Sequence, residues 1–438
     1  MSSEDTVAAI ATPPGRGGIG VIRISGNKAK HICEMLTGKD PAPGRFCFTR
    51  FYDANKAIID SGLCLFFQAP HSYTGEDVIE LQTHGSDAVM NALLEVVIAH
   101  GARRARPGEF TERAFVNNKM DLIQAESVLA LINSKTTRAA RSALRSLEGE
   151  FSETIHTIQA EIIETKSMLE ATLDFPDEDD INIDVKPIGL GLTSTLLKTR
   201  ALLGRAESGE ALTHHPMIVI AGKPNVGKSS LLNKITGNDT AIVSDISGTT
   251  RDLIRQTVHL DGVEMLLIDT AGIRDTHDVI EQEGVRRTNE QIKKADLVLY
   301  VIDEDESFQH NVLPEADKMI IVRNKIDINP ILQPNDNVMP VSVKNEEGLQ
   351  ALLTAVRVFL GINNDEENAV AARTRHLVAL KKAITHLEAA NNCLVQETGI
   401  EVASEHLRLT LKEFDDVLGI VTADDILSEI FSRFCIGK

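Results

Sequence analysis

The sequence lacks three features that would place a protein in or beyond a membrane. No run of residues approaches the ~18 apolar residues that span a bilayer. The segment Met1–Ile10 contains no basic stretch followed by an apolar one, so we expect no secretory signal. The sequence contains five cysteines, an odd number. It has no CxxC pair and no Cys/His spacing typical of a metal site. Disulfides and a zinc site are therefore not expected, and a reducing cytoplasm without membrane attachment fits best.

The sequence is also short of positive charge. It contains 45 Lys and Arg against 64 Asp and Glu, which gives a formal net charge of −19. Such a balance argues against a protein that coats nucleic acid through its overall field. A local basic groove, or a partner that supplies positive charge, remains compatible with it.

The N-terminal part of the chain has a mixed α and β pattern. Val21–Ile24 and Leu63–Phe67 are short apolar runs typical of strands, and Ala88–His100 has the spacing of a helix that ends near Gly101. At 438 residues the chain exceeds one ordinary hydrophobic core, so more than one domain is expected.

Two helical blocks flank a region with a different periodicity. Apolar residues recur at helical spacing from about Asp121 to Glu210, with one acidic interruption, and again from about Glu366 to Phe434. Between these blocks, short apolar runs alternate with helical stretches, which predicts an α/β region with a parallel sheet. The runs are Met217–Ala221, Leu266–Ile268, Leu297–Ile302 and Met319–Val322.

These patterns predict a multidomain chain. An α+β N-terminal domain is expected over residues 1–118, followed by an all-α helical domain made of residues 119–213 and 362–438. An α/β domain over residues 214–361 is expected as an insertion in the helical domain.

A phosphate-binding motif opens the α/β region. Residues 222–229 read GKPNVGKS, which matches GxxxxGK[ST] and follows a predicted strand directly. Glycines let backbone N–H groups surround phosphates, and the N-terminus of the next helix favours anions. In this motif Lys228 is expected to reach the β- and γ-phosphates, and the Ser229 hydroxyl to bind Mg²⁺. The sequence therefore predicts a P-loop domain.

Further motifs follow in the order expected of a GTPase. Asp269–Gly272 (DTAG) follows a predicted strand, where a carboxylate can support Mg²⁺ and the Gly272 amide can meet the γ-phosphate. Ser247–Asp252 offers hydroxyls for the metal, of which Thr250 is our choice. Asn324–Asp327 (NKID) follows another strand, and Ser342 fits the last base-contacting loop.

The NKID motif predicts guanine specificity. The Asp327 carboxylate can accept two hydrogen bonds, from N1–H and the exocyclic amine of guanine. Adenine lacks that pair of donors, so a site built to satisfy them rejects ATP. The sequence therefore predicts binding and hydrolysis of GTP.

The water-positioning residue is not evident from the motifs alone. Many GTPases orient the attacking water with a Gln just after DxxG, and here that position is Ile273. A polar residue downstream or a cation must replace it. Asp275, Asp278 and Glu281 are the candidates, and the physics of the sequence does not choose among them.

Signatures outside the P-loop region make the whole chain similar to a known family. The chain closely resembles the MnmE (TrmE) family of bacterial tRNA-modification GTPases. The residues that carry the resemblance are Thr12–Gly20, Arg23–Gly26, Tyr73–Asp77, Arg106–Thr111, Asp121–Glu126 and Phe434–Lys438.

The resemblance implies a function for the N-terminal domain. In this family the domain binds a one-carbon tetrahydrofolate, in a 5-formyl or methylene form, and makes a constitutive homodimer. By position, the folate contacts carry over to Arg23, Glu80 and Lys119, with Lys438 nearby. The resemblance also implicates Cys435 in the modification chemistry.

The resemblance also implies K⁺-dependent hydrolysis. Asn225, Ser244, the Ile246 carbonyl and Thr249 match the family's K⁺ ligands, and Ser229 and Thr250 are the predicted Mg²⁺ ligands. Glu281 matches the family's water-orienting glutamate. Motifs and resemblance together imply nucleotide contacts at Asn225, Val226, Gly227, Lys228, Ser229, Ser230, Ser244, Asp245, Ile246, Ser247, Gly248, Thr249, Thr250, Asp269, Thr270, Ala271, Gly272, Asn324, Lys325, Ile326, Asp327, Ser342, Val343 and Lys344.

The partner implied by the resemblance is MnmG, a flavoprotein that brings FAD. The resemblance implies a heterotetramer of the two proteins that adds aminomethyl or carboxymethylaminomethyl groups at C5 of the wobble uridine of certain tRNAs. The alternative is a regulatory switch or assembly GTPase without one-carbon chemistry. The N-terminal half discriminates between the two, because a pure switch needs no folate pocket.

Overall fold

The computed structural model describes most of the chain and divides it into two compact units. The described residues are 5–174, 185–213, 216–223, 225–236, 254–260, 263–269, 290–303, 318–328, 338–360, 368–395, 399–420, 427 and 430–437. The first unit contains residues 1–129 and 412–438, and the second contains residues 130–411.

A six-stranded sheet forms the centre of the first unit. Its strands lie in the order β3-β4-β5-β2-β1-β6, and only the β1–β6 pair is parallel. The strands are β1 (Thr6–Ile10), β2 (Gly17–Ser25), β3 (Phe46–Tyr52), β4 (Ile58–Phe67), β5 (Val78–Gly85) and β6 (Ala102–Arg104).

Alternation along these strands separates a buried face from a face that carries polar side chains. Ile22 and Ile24 on β2 are fully buried in one core with helices α1 (Ala29–Thr37) and α2 (Asp87–Ala99). Arg23 lies between them in the sequence, so its side chain points to the opposite face. That face therefore holds the predicted folate residues Arg23 and Glu80, which are directly paired across β2 and β5.

The C-terminal segment completes the first unit. Phe431 and Phe434 are buried against Leu122 and Ala125, next to α3 (Glu109–Val116). Gly108, which begins α3, has a φ of 69°, and a Cβ there would lie 2.5 Å from the carbonyl oxygen of Phe431. The close backbone approach and the left-handed conformation both require glycine. Residues 430–437 are thus part of the N-terminal unit.

The second unit combines helices with a second six-stranded sheet. That sheet has the order β12-β11-β10-β7-β9-β8, with β8 as its single antiparallel strand. The strands are β7 (Met217–Ala221), β8 (Ile254–Leu260), β9 (Val263–Asp269), β10 (Leu297–Ile302), β11 (Met319–Arg323) and β12 (Val338–Pro340). Among the described residues, helices of this unit include α5 (Thr137–Leu147), α6 (Glu150–Asp174), α7 (Val185–Thr213), α8 (Lys228–Thr236), α9 (Leu349–Phe359) and α10 (Thr374–Val395). The boundary between the units falls within α4 (Leu122–Asn133) and α11 (Ile400–Leu418).

The chain that follows the sheet returns to the helices that precede it. The Ser146 hydroxyl on α5 donates to the carbonyl oxygen of Ala371 at 3.2 Å. The Arg205 side chain on α7 donates to the carbonyl oxygen of Asn368 at 2.8 Å. Helix α10 then packs along α7. These contacts agree with an α/β region inserted between two helical segments, and the predicted fold class is confirmed.

The strands expected from apolar runs are present, and several others were not predicted. Val21–Ile24 lies in β2, Leu63–Phe67 in β4, and the four runs of the α/β region in β7, β9, β10 and β11. Among the described residues, no helix is long and apolar enough to cross a membrane.

Two glycines on α7 allow a matched test of the contact between α7 and the chain that follows the α/β region. A Cβ at Gly209 would lie 1.8 Å from the carbonyl oxygen of Val370, whereas a Cβ at Gly204 would meet nothing within 4 Å. We expect Gly209→Ala to destabilise the second unit by ~1–3 kcal/mol because a backbone atom must move. Gly204→Ala should be neutral or stabilising by ~0.5–1 kcal/mol. Thermal denaturation followed by circular dichroism compares them, and equal stability of the two variants would contradict a rigid contact.

Candidate nucleotide and folate sites

The phosphate-binding loop lies between β7 and α8. Gly222 has a φ of 142°, and a Cβ there would lie 2.2 Å from the carbonyl oxygen of Val301. Only glycine therefore fits where the loop leaves β7 and passes the neighbouring strand. Lys228 begins α8 and is 6% exposed. Its Nζ atom donates to the carbonyl oxygens of Gly222 and Lys223 at 2.8 and 2.7 Å, so the ammonium group is held inside the loop.

A buried side-chain amide joins this loop to the predicted base-binding segment. Asn324 is 3% exposed, and its Nδ2 atom donates to the carbonyl oxygen of Val226 at 2.9 Å. Its Oδ1 atom accepts a hydrogen bond from the backbone N–H of Val343 at 3.2 Å. A Cβ at Gly227 would lie 2.2 Å from Asn324 Nδ2, so this contact also requires glycine in the loop. Both ends of the amide are therefore satisfied, as burial demands.

Lys325 makes a second connection to the same loop. Its Nζ atom donates to the carbonyl oxygen of Asn225 and to Asp303 Oδ2, each at 2.7 Å. Asn225 and Lys325 both adopt left-handed backbone conformations, with φ of 64° and 63°. Strand β10 lies between β7 and β11 in the sheet, and Asp303 directly follows β10. The Asp303 carboxylate thus anchors the ammonium group midway between the two segments that it connects.

Asp303 was missed by the sequence interpretation. It belongs to no recognised motif, and its signal is only that an acidic residue follows a buried strand of the α/β region. Because the carboxyl ends of parallel strands meet at one edge of the sheet, that position brings it beside the P-loop.

The base-binding aspartate is held by the last predicted loop. Ser342 is fully buried, and its hydroxyl donates to Asp327 Oδ1 at 2.7 Å. The same hydroxyl accepts from the backbone N–H of Asn345 at 3.2 Å. Asp327 itself is exposed. One carboxylate oxygen is therefore oriented by the protein while the side chain remains accessible to a ligand.

Several predicted nucleotide, metal and water-orienting residues lie outside the described residues. They are Ser244, Asp245, Ile246, Ser247, Gly248, Thr249, Thr250, Thr270, Ala271, Gly272, Asp275, Asp278 and Glu281. Asp269 is the last residue of β9, and its backbone lies opposite Ile220 of β7. Ser229 and Ser230 are exposed in the first turn of α8, and Lys344 is exposed after the partly buried Val343. Ile326 is partly buried between Lys325 and Asp327.

The first unit contains an ion pair at the predicted folate residues. Arg23 Nε donates to Glu80 Oε1 at 2.9 Å, and Arg23 Nη2 lies 2.8 Å from the same oxygen. The guanidinium carbon lies 5.4 Å from the ring centroid of Tyr73 and 5.7 Å from that of Phe110. Burial raises the pKa of Tyr73, so its ring stays neutral at physiological pH. The arrangement is a half-buried charge pair against two aromatic rings.

The C-terminal segment reaches this ion pair. Arg23 Nη1 donates to the carbonyl oxygen of Gly437 at 3.4 Å. Lys438 lies outside the described residues, but its preceding residue is therefore beside Arg23. The Cys435 side chain is exposed, two residues before Gly437. Lys119 is also predicted as a folate contact, and its Nζ atom donates to the carbonyl oxygen of Pro70 at 3.0 Å.

A buried ionic network holds α3 near the same face. Glu109 is 2% exposed and receives hydrogen bonds from Arg103 and from the backbone N–H of Arg106. Burial alone would raise the pKa of Glu109, but these hydrogen bonds, and its attraction to Arg103 and Arg113, hold the pKa below its usual range. Its stabilising effect is therefore present above the ordinary carboxylate pKa and is lost as the pH falls through the lowered one.

The sheet face of Arg23 and Glu80 continues as an apolar surface. Leu65 on β4 is paired with Glu80 on one side and with Phe46 of β3 on the other. Phe46 and Phe48 are 74% and 67% exposed. Since β3 is the edge strand, these aromatic side chains form an exposed patch beside the ion pair.

Comparisons with known proteins match nearly the whole chain. A family model described as "GTP-binding protein TrmE N-terminus" matches residues 6–119, and one described as "MnmE helical domain" matches residues 122–435. The tRNA modification GTPase MnmE of Nitrosomonas europaea is 46% identical over 100% of both chains. The MnmE protein of Coxiella burnetii is 44% identical over 99% of both chains. Among solved structures, the G domain of the T. maritima FeoB iron transporter has a TM-score of 0.28, at 25% identity over 33% of this chain and 99% of that chain.

The P-loop, the NKID segment and the sheet that connects them define a P-loop GTPase. With full-length relatives at this identity and two matching family models, the chain belongs to the MnmE (TrmE) family of tRNA modification GTPases. The family resemblance of the sequence, and its assignment as a GTP hydrolase, are confirmed.

The Asp303–Lys325 contact yields a test of how the site is held together. We expect Asp303→Asn to weaken GDP binding about 2- to 10-fold, since it removes one partly exposed charge contact worth ~0.5–1.5 kcal/mol. The binding of a fluorescent GDP analogue at equilibrium measures the change. Glu207→Gln is the control, because it removes an ion pair with Lys381 on the helices of the same unit. Equal affinities of the two variants would show that Asp303 does not position Lys325.

Proposed function

We propose that this protein couples GTP hydrolysis to modification of the wobble uridine of certain tRNAs at C5. The observation that carries the proposal is the guanine-type nucleotide site, in which Asn324 and Lys325 hold the P-loop and Ser342 orients Asp327. The relatives named above are called tRNA modification GTPases, which supplies the tRNA substrate class. The domain boundaries 1–118, 119–213, 214–361 and 362–438 remain our working division of the chain.

The nucleotide site supports a division of roles among its residues. Asp327 would accept the N1–H and amino donors of guanine, with Ser342 fixing its orientation. Lys228 would exchange its contacts with loop carbonyls for the β- and γ-phosphates. Ser229 and Thr250 would hold Mg²⁺, which neutralises the charge that develops on the phosphates. The remaining predicted contacts to GTP are the loop residues given above.

Asn225 supports a K⁺ site next to the phosphates. Lys325 donates to the backbone carbonyl of Asn225, whose backbone is left-handed and whose side chain is exposed. With Ser244, the Ile246 carbonyl and Thr249, the side-chain oxygen of Asn225 would bind K⁺ near the β- and γ-phosphates. The cation would supply the positive charge that an arginine finger supplies elsewhere. Glu281 would orient the attacking water.

The charge pair of the first unit supports folate binding. The pterin ring of a tetrahydrofolate carries adjacent N–H and amino donors, which a carboxylate such as Glu80 can accept. Arg23 would orient the Glu80 carboxylate through their hydrogen bond, and Tyr73 provides a ring surface nearby. Lys119 and Lys438 would attract the glutamyl carboxylates of the ligand. The exposed Cys435 lies two residues before Gly437 and would act on the bound one-carbon unit or on the uridine.

The apolar patch supports a homodimer. Phe46 and Phe48 project from an edge strand beside the ion pair, and burial of exposed aromatic area is the common driving force of association. We propose that a second copy covers this patch. An MnmG-type flavoprotein carrying FAD would complete a heterotetramer in the cytoplasm. Because this chain is acidic, that partner or a local basic groove would make most tRNA contacts.

The alternative function is a regulatory or assembly switch that uses the GTP state to gate a partner. Nothing in such a switch calls for a charge pair stacked against two rings in the N-terminal unit. The Arg23–Glu80 site therefore favours the one-carbon chemistry over the switch.

The modification itself is tested in cells that lack this protein. Mass analysis of digested tRNA is expected to show wobble uridines without the (carboxymethyl)aminomethyl group, and restoration of that group by the intact gene. A gene encoding Asp327→Asn should restore it poorly, because guanine recognition is lost. If the wobble uridines of the deleted strain still carried the (carboxymethyl)aminomethyl group, the proposed function would be overturned.

Folate binding is tested by calorimetry on the full-length protein. We expect 5-formyltetrahydrofolate to bind the wild type, and Glu80→Gln to weaken binding about 10-fold or more, since a charge-assisted hydrogen bond contributes ~1.5–3 kcal/mol. Glu95→Gln is the control, because it removes an exposed ion pair with Arg104 in the same unit. An absence of binding to the wild type would favour the switch.

The K⁺ assignment is tested by comparing salts. GTP hydrolysis by the wild type should be much faster in K⁺ than in Na⁺ at equal ionic strength. Asn225→Gly tolerates the left-handed conformation but removes the ligand oxygen, so its rates in the two salts should be similar. The same ratio of rates in the variant and the wild type would exclude Asn225 as a K⁺ ligand.

A further inference from the structure

Three of the five cysteines lie close together in the first unit, on the buried face of its sheet. Cys33 on α1 and Cys64 on β4 are 1% and 3% exposed. Their Sγ atoms are 2.9 Å apart, although the residues are 31 positions apart in the chain. Two thiols at this separation are closer than ordinary sulfur contacts, and neither belongs to the nucleotide or folate site.

The geometry points to a reversible disulfide between Cys33 and Cys64, which we propose as an oxidative modification site of this protein. A disulfide has an S–S bond of about 2.05 Å, so the sulfur atoms must approach by less than about 1 Å. Both side chains already face each other across the contact between α1 and β4. The sulfur atoms that would form the bond are therefore already in contact.

Cys47 gives the buried pair a connection to solvent. It is partly exposed on the edge strand β3 and is directly paired with Cys64 of β4. Directly opposed residues of antiparallel strands have Cα atoms about 4.5–5.5 Å apart, which lies within the range that disulfides bridge. Lys39 Nζ lies 3.7 Å from Cys47 Sγ. Partial exposure beside a cation is the setting in which reactive thiols are found.

Thiol–disulfide exchange accounts for the oxidation with a small-molecule disulfide, RSSR, as the oxidant. The Cys47 thiolate attacks RSSR, forms a mixed disulfide and releases RS⁻. The Cys64 thiolate then attacks Cys47 Sγ and displaces the second RS⁻. Finally the Cys33 thiolate attacks Cys64 Sγ and regenerates the Cys47 thiolate. The net result is one protein disulfide and two RSH, with two electrons transferred to RSSR and the two thiol protons taken up by the leaving groups.

A structural metal is the other use of clustered thiols, and the structure does not favour it. Among the residues that the structure describes, no group of three or more Cys, His, Asp or Glu is placed to hold a metal ion. Two thiolates on one metal ion would also stand farther apart than these two sulfur atoms do, since each Zn–S bond is about 2.3 Å. The short contact therefore suits a bond between the sulfurs.

The test titrates the full-length protein with glutathione and its disulfide at increasing oxidised fraction. Samples are taken over hours, because uncatalysed exchange is slow, then quenched with acid and alkylated with N-ethylmaleimide in denaturant. Intact mass counts the labelled thiols. We expect two of the five thiols to be lost without any added glutathione mass, and a peptide map that links Cys33 to Cys64. Dithiothreitol should restore all five.

Variants separate the roles of the three residues. Cys64→Ala should form no disulfide that includes Cys33 and should instead accumulate the mixed disulfide of Cys47 with glutathione, whereas Cys47→Ser should reach the same Cys33–Cys64 product several-fold more slowly. The measurement on the wild-type protein does not depend on whether the variants fold. Five free thiols in the wild type at every glutathione ratio would overturn the proposal, as would a map that pairs Cys64 stably with Cys47. An unchanged rate in Cys47→Ser would show that oxidation does not pass through Cys47, while the Cys33–Cys64 disulfide itself would still be supported.

Discussion

The buried amide of Asn324 is the contact on which the nucleotide site depends. The P-loop follows β7 and the base-binding segment follows β11, and β10 separates the two strands in the sheet. Adjacent strands are about 4.8 Å apart, so β7 and β11 lie roughly 10 Å apart within the sheet. The segments that follow these strands approach each other more closely, and Asn324 joins them by donating to the P-loop while it accepts from the segment that carries Ser342. The spacing between phosphate and base is thus set by side-chain hydrogen bonds as well as by the sheet.

Local sequence patterns predicted the elements of this site well and their connections poorly. Strands β7, β9, β10 and β11 appear as apolar runs because both faces of a parallel sheet are covered. The motifs located Lys228, Asn324 and Asp327 because each needs a defined chemical group at a fixed distance from a strand. Asp303 has no such constraint in the sequence. Its importance comes only from the order of the strands, which brings three strand ends together.

The first unit was harder to predict for a related reason. Strands β1, β3, β5 and β6 were not anticipated, since an antiparallel sheet with one partly open face gives short, mixed patterns. Arg23 and Glu80 were identified through the family resemblance, and the strand pairing explains why they meet. The meeting of Cys33 with Cys64 could not be read from the sequence, because the spacing of cysteines does not specify which helix covers which strand.

The first unit is built from two segments that are far apart in the chain, and this affects when it can be completed during synthesis. Residues 412–438 belong to the same compact unit as residues 1–129, and Gly437 lies against Arg23. The ribosome must therefore synthesise the whole second unit before the first can be completed. At ~5–20 residues per second, this delay is roughly 15–60 s. During that interval the surface that later receives Phe431 and Phe434 is uncovered, so the nascent N-terminal unit is a natural client for a chaperone.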